Sequence, residues 1–134
     1  MLSTETGYRR MFLLAAMYNL VLGAVFLVFF AQLMSFFHMP IFPREAMVFH
    51  QMAILLAMVF GVGYFMVSRD LYKHTGIATI GALGKTVVFF LFLYHMIFSG
   101  LPPAIFLIGC GDLVFALLFC KFLLFVRTKD RDAA

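Results

Sequence analysis

The sequence predicts an all-α protein, an antiparallel bundle of four transmembrane helices forming a single membrane domain over residues 1–134. Of the 134 residues 65% are hydrophobic and 12% charged, about half the charged share of a soluble domain, and the mean hydropathy is +1.07. The apolar residues fall in four blocks separated by short connections. Each block has about 20 residues or more, enough at 1.5 Å per residue to cross a hydrocarbon layer of about 30 Å. Because the blocks use nearly all of the chain, function is expected in the bundle or at its rims and not in a soluble catalytic domain.

The first helix is expected over about residues 9–30. Its opening, Tyr8-Arg9-Arg10-Met11-Phe12-Leu13-Leu14, has the form of a twin-arginine export signal. The apolar stretch exceeds the 7–15 residues of a signal core, however, and no small-x-small cleavage site precedes Ser35, so a retained anchor helix is the better reading. The connection from Gln32 to Pro43 carries His38, Pro40 and Pro43, and its prolines should end the helix and stiffen the link. A second helix follows over about 44–68, then a polar turn, Arg69-Asp70-Leu71-Tyr72-Lys73-His74-Thr75. The third is expected over about 76–99. The fourth, about 102–126, starts at Pro102-Pro103, where a missing N–H costs nothing, and is followed by a tail over 127–134.

A net charge of +4 and a pI near 9.3 are compatible in the abstract with nucleic acid, but the basic residues stand beside the apolar blocks. The expected partner is the lipid bilayer, with no nucleic acid. Arg9, Arg10, Arg69, Lys73, Lys121, Arg127, Lys129 and Arg131 fall on one side and Arg44 alone on the other. The positive-inside rule reads this as both termini, and the tail, in the cytoplasm of a multi-pass inner-membrane protein. Cys110 and Cys120 lie in the fourth block without a C-x-x-C spacing, and read as buried structural thiols.

Ionisable groups within a membrane are costly and face the bundle interior, so their depth is informative. Lys85 is about 13 Å into the third helix from the basic side and Asp112 about 15 Å into the fourth from the other. Asn19 reaches the same midplane. Each charge alone would cost about 3 kcal/mol on the insertion scale, which pairing offsets, so a Lys85–Asp112 ion pair is expected, ionised or as a neutral couple. A second layer, nearer the side opposite the basic one, holds His50 and His95 at matched depth. Helical spacing places Gly81, Lys85, Val88, Phe92 and His95 on one face of the third helix, and His50, Ile54, Ala57, Gly61, Tyr64 and Ser68 on one face of the second. Gly109, Asp112, Ala116 and Cys120 form a small-residue stripe on the fourth, of the kind that packs lipid-embedded helices closely.

These layers have alternative readings. Asn19, Lys85, Asp112 and Tyr64 form either a tether that sets helix register or a ligand or ion pathway. His50 and His95 are either hydrogen-bonded rim residues, beside which a quinone or other lipid-like molecule could sit, or a bis-histidine haem or metal pair, with His38 as a third metal donor. No Ser-His-Asp constellation, phosphate-cradling glycine loop, H-E-x-x-H motif or glycosidase-like carboxylate pair occurs, so hydrolase and kinase chemistry is disfavoured and the catalytic set is empty.

Tyr18-Asn19-Leu20 with Gly23, Gly61-Val62-Gly63-Tyr64, Arg69-Asp70, His74, Gly81-Ala82-Leu83-Gly84-Lys85 and Asp112-Leu113 together resemble a family of small bacterial four-helix integral membrane proteins with no assigned activity. The G-x-G-Y, G-x-x-G-K and late Asp-Leu patterns cover nearly the whole chain. Relatives tend to carry Trp after the late Asp-Leu, where this chain has Val114-Phe115. The architecture is also similar, less closely, to DoxX-like membrane proteins. The resemblance implies the fold and the choice of polar residues, and implies no reaction. The resulting expectation is a non-enzymatic inner-membrane protein with an internal polar site, a small-ligand or solute binding, transport or accessory subunit, acting as a homo-oligomer or within a membrane complex. The alternatives are a redox subunit holding haem or quinone near His50 and His95, and a structural partner of a larger complex.

Overall fold

The first helix starts where the sequence supplies a cap: the Thr4 hydroxyl accepts the Gly7 N–H at 3.2 Å, meeting one of the unpaired donors of a helix N-terminus. The computed structural model describes residues 4–133, which form α1 (Glu5–Val28), α2 (Phe30–Phe36), α3 (Arg44–Arg69), α4 (Thr75–Phe98) and α5 (Pro103–Ala133), with no strand among them. All but α2 are long and apolar enough to cross a membrane. The protein is therefore an all-helical bundle compatible with a multi-pass membrane protein, and the four expected spans correspond to α1, α3, α4 and α5.

Two details depart from the expected boundaries. The first helix breaks at Phe29 (φ −108°, ψ 26°), well before the prolines, and a short extra helix resumes at Phe30. No proline or glycine causes the break. It turns Phe30 and Met34 inward, where both are buried. α2 then closes with a Schellman motif, in which Met39 N–H bonds the Met34 carbonyl at 2.8 Å and His38 N–H bonds the Ser35 carbonyl at 3.1 Å. His38 takes the left-handed position of that motif at φ 55°, a place glycine usually fills. At the other end of the chain, α5 runs on to Ala133, through the segment expected as a tail. Arg127-Thr128-Lys129-Asp130-Arg131-Asp132 contains no helix breaker. Lys129 also ties that stretch down by donating to Glu5 at 2.5 Å and to the Tyr72 hydroxyl at 2.8 Å.

The four long helices associate as two pairs, α1 along α3 and α4 along α5, while α3 and α4 meet over a much shorter length. Glycine lets the first pair approach: a Cβ on Gly61 would stand 3.0 Å from Leu20 and 3.2 Å from the Ala16 carbonyl. The pairs are joined by aromatic rings. Phe12 stacks on Phe119 with centroids 4.7 Å apart, Tyr8 lies 5.3 Å from Phe122, and Tyr64 meets Phe119 edge-on at 4.9 Å.

All of these rings lie toward the end that carries the basic residues, and so does the continuous core built from Tyr8, Phe12, Tyr64, Val67, Ala78, Phe119 and Phe122. The core stops near Lys85. Beyond that level the helices line a cavity, so the bundle is packed solid in one half and hollow in the other. Leucine, valine, methionine and phenylalanine cover the outer faces, as at Val21, Phe49, Val59, Leu83 and Leu117, the arrangement suited to lipid.

Candidate functional site

The expected midplane layer comes together as a hydrogen-bonded cluster. Lys85 Nζ lies 2.5 Å from Asp112 Oδ1 and donates to Asn19 Oδ1 at 2.9 Å. The Asn19 amide in turn donates to the Ala57 carbonyl at 2.8 Å, so one chain of contacts links α5, α4, α1 and α3. The side chains of Lys85 and Asp112 are 5% and 13% exposed, which leaves the pair largely out of solvent.

Three rings complete the ammonium's surroundings, with centroids 5.3 Å away for Tyr18 and 5.4 Å for Tyr64 and Phe115. Their electron-rich faces offset part of the lost hydration. Tyr18 is oriented by donating its hydroxyl to the Ile108 carbonyl at 2.7 Å, and Gly111 leaves room for its ring. Tyr64 is 1% exposed and lies against Gly81, where any Cβ would collide with it. The G-x-G-Y and G-x-x-G-K motifs thus meet each other across the α3–α4 contact.

Above this cluster opens a cavity of about 570 Å³, within the range of small-molecule pockets. Its floor is Tyr18, Asn19, Tyr64, Lys85 and Asp112, and its walls are almost wholly apolar, including Leu22, Phe26, Ile54, Phe60, Val88 and Ile105. Phe30 and Met34 of α2, with Met39 and Phe42 of the following link, close in around the far end. Asp112 spends only Oδ1 on protein partners among the described residues, and the Tyr64 hydroxyl has no partner among them. Both residues line the cavity.

The two layer histidines have different surroundings. His50 lines the cavity, with its ring 4.3 Å from Phe30 and 5.7 Å from Phe42, and its Nε2 is buried with no hydrogen-bond partner. His95 is not among the lining residues and bonds Ser99 Oγ through Nδ1 at 3.0 Å. The helical spacing accounts for this. At about 100° per residue, Phe92 is only about 20° off the Lys85 direction, but the further three-residue step leaves His95 about 80° off. His38 belongs to the α2 cap, and among the described residues no group of three or more His, Cys, Asp or Glu side chains is arranged around a common metal position.

The same drift carries Cys120 away from the Asp112 face. It is exposed, Cys110 is half-buried, and both thiols are free, so the expectation of two buried thiols does not extend to Cys120. Tyr18 and α2 were not singled out as parts of the site by sequence reasoning. The signal for Tyr18 was available, because a tyrosine beside Asn19 at mid-membrane depth needs a partner for its hydroxyl. Nothing in Phe30–Phe36 distinguishes a helix that folds inward from the end of the preceding one. In comparison with known proteins, no family model, curated protein or solved structure matches this chain.

Proposed function

We propose that the protein is a small-ligand binding, transport or accessory subunit that accommodates an amphiphilic, membrane-dissolved molecule in the bundle cavity. The carrying observation is the combination of about 570 Å³ of apolar-walled space with a floor made by the Lys85–Asp112–Asn19 cluster. Binding sites of this kind take affinity from apolar walls and orientation from a few polar groups. The ligand's apolar body lies along the α1–α3 and α4–α5 walls, and its polar head meets the free oxygen of Asp112, the Tyr64 hydroxyl and the remaining Nζ–H of Lys85. Access from the membrane is supported by Leu56 of α3 and Leu91 of α4, which line the cavity yet are 55% and 51% exposed, on two helices that meet over only a short length.

The bilayer assigned to it is the bacterial inner membrane with both termini cytoplasmic, a reading supported by the concentration of Lys and Arg at the packed end. Mass spectrometry of solvent extracts from detergent-purified protein tests the ligand reading. A stoichiometric apolar compound with one polar head should accompany the wild type and be lost from Ala53→Phe, whose added ring occupies the cavity. A folded wild type that carries no such compound overturns it.

A second reading, a redox subunit holding a quinone, draws support from His50, whose buried Nε2 lacks a partner on the wall of the same cavity. In that case the extracted compound is a quinone, and His50→Phe, which keeps the ring packing on Phe30 and Phe42, weakens its retention. A compound without a quinone ring excludes this version and leaves the first.

A further inference from the structure

A second recess, of about 180 Å³, lies at the packed end of the α1–α3 pair and is lined by Arg9, Arg10, Leu13, Phe65, Ser68 and Arg69. Arg9 holds it in shape, because its Nη1 donates to the Ser68 carbonyl at 3.1 Å and also to the Arg69 carbonyl. These are two of the carbonyls that a helix C-terminus leaves without intrahelical partners. The Arg10 and Arg69 side chains are exposed, and no carboxylate lines the recess.

Two acids stand close by in sequence, and neither lines the recess. Glu5, one turn before Arg9, accepts from Lys129 and Tyr72, and Asp70 accepts the Lys73 N–H. Three arginines therefore line one recess that has no carboxylate among its lining residues. Directly inward of them, Leu13 follows Arg10 by three residues and Phe65 precedes Arg69 by four, each on the same helix face as its arginine. Both apolar side chains are exposed, 41% for Leu13 and 46% for Phe65.

The order along the helix axis is cationic recess first, apolar surface next. A phosphodiester in the recess would lay its acyl chains against Leu13 and Phe65, whereas a free phosphate or a soluble acidic peptide would leave that surface uncovered. We propose that Arg9, Arg10 and Arg69 form a binding site for the headgroup of an anionic phospholipid, with Arg10 and Arg69 supplying the bidentate donors that suit phosphate oxygens. This site is separate from the cavity, which lies in the other half of the bundle, and it stands or falls without it.

The test is native mass spectrometry of delipidated protein offered equal amounts of dioleoylphosphatidylglycerol and dioleoylphosphatidylcholine, with inorganic phosphate in a parallel arm. The wild type should retain phosphatidylglycerol at least about fivefold over phosphatidylcholine. Arg10→Gln with Arg69→Gln should abolish that preference, and each single variant should reduce it. Lys121→Gln with Arg127→Gln removes the same charge from exposed positions on α5 and should leave it intact. Equal retention of both lipids by the wild type, equal losses in the two double variants, or displacement of phosphatidylglycerol by equimolar inorganic phosphate would each overturn the proposal.

Discussion

Lys85 illustrates how a membrane-buried charge is accommodated by particular neighbours and not by its surroundings in general. Asp112 answers its charge, Asn19 a second N–H, and three rings the rest of its shell. Removing the cation alone leaves a buried carboxylate without its partner, so Lys85→Met should destabilise the fold by about 3 kcal/mol. Lys85→Met combined with Asp112→Leu should recover most of that loss, since neither charge remains to be accommodated. Thermal unfolding of the three proteins in one detergent reads the difference. If the double variant is as unstable as the single one, the pair's role lies in packing and not in charge. His38 offers the opposite case, a residue held in a backbone conformation that its side chain does not favour. His38→Gly should raise stability by about 1 kcal/mol, with unfolding again the measurement; a loss would mean that the imidazole makes a contact of its own.

The elements pair through small residues, and this makes their tolerance to substitution position-specific. A Cβ on Gly61 meets three atoms of α1 within 3.2 Å, whereas one on Gly84 meets nothing within 4 Å. Gly61→Ala should therefore cost about 1–3 kcal/mol by forcing α1 and α3 apart, and Gly84→Ala should be neutral or stabilising by up to about 1 kcal/mol through helix propensity. Parallel melting curves would reverse this view if both glycines behaved alike. The long helices were legible in the sequence because hydrophobic length is a property of each segment alone. Lys85, Asp112 and Asn19 were legible because depth follows from counting residues and each charge demands a partner. α2 was not, since its fold depends on a cavity that exists only after the helix pairs have met. That His50 lines the cavity and His95 does not was illegible for a different reason: matched depth does not imply matched azimuth, and ten residues of α4 rotate His95 away from the direction of Lys85.

At the scale of the whole molecule, the bundle has one solid half and one hollow half, and the ion pair marks the boundary between them. The aromatic core from Tyr8 to Phe122 and the Glu5–Tyr72–Lys129 cluster hold the packed end together. Under the proposed function, stability and ligand capacity are thus divided between different residues. Substitutions near Phe12 or Phe119 should act on folding, while those at Ala53 or His50, which line the cavity, should act on the ligand proposed for it.

The placement of Lys85 and Asp112 on successive helices also bears on how the chain is made. During synthesis α4 emerges first, carrying a cation whose transfer to lipid costs about 3 kcal/mol, and its counter-ion follows only with α5. The two helices should therefore enter the bilayer as a hairpin, with α4 waiting at the translocon until Asp112 arrives. In a glycosylation-mapping assay on nascent chains, truncation before Asp112 should lower the membrane integration of α4, and Lys85→Leu should restore it. Efficient integration of the truncated wild-type helix would show that α4 commits to the bilayer before its partner is made.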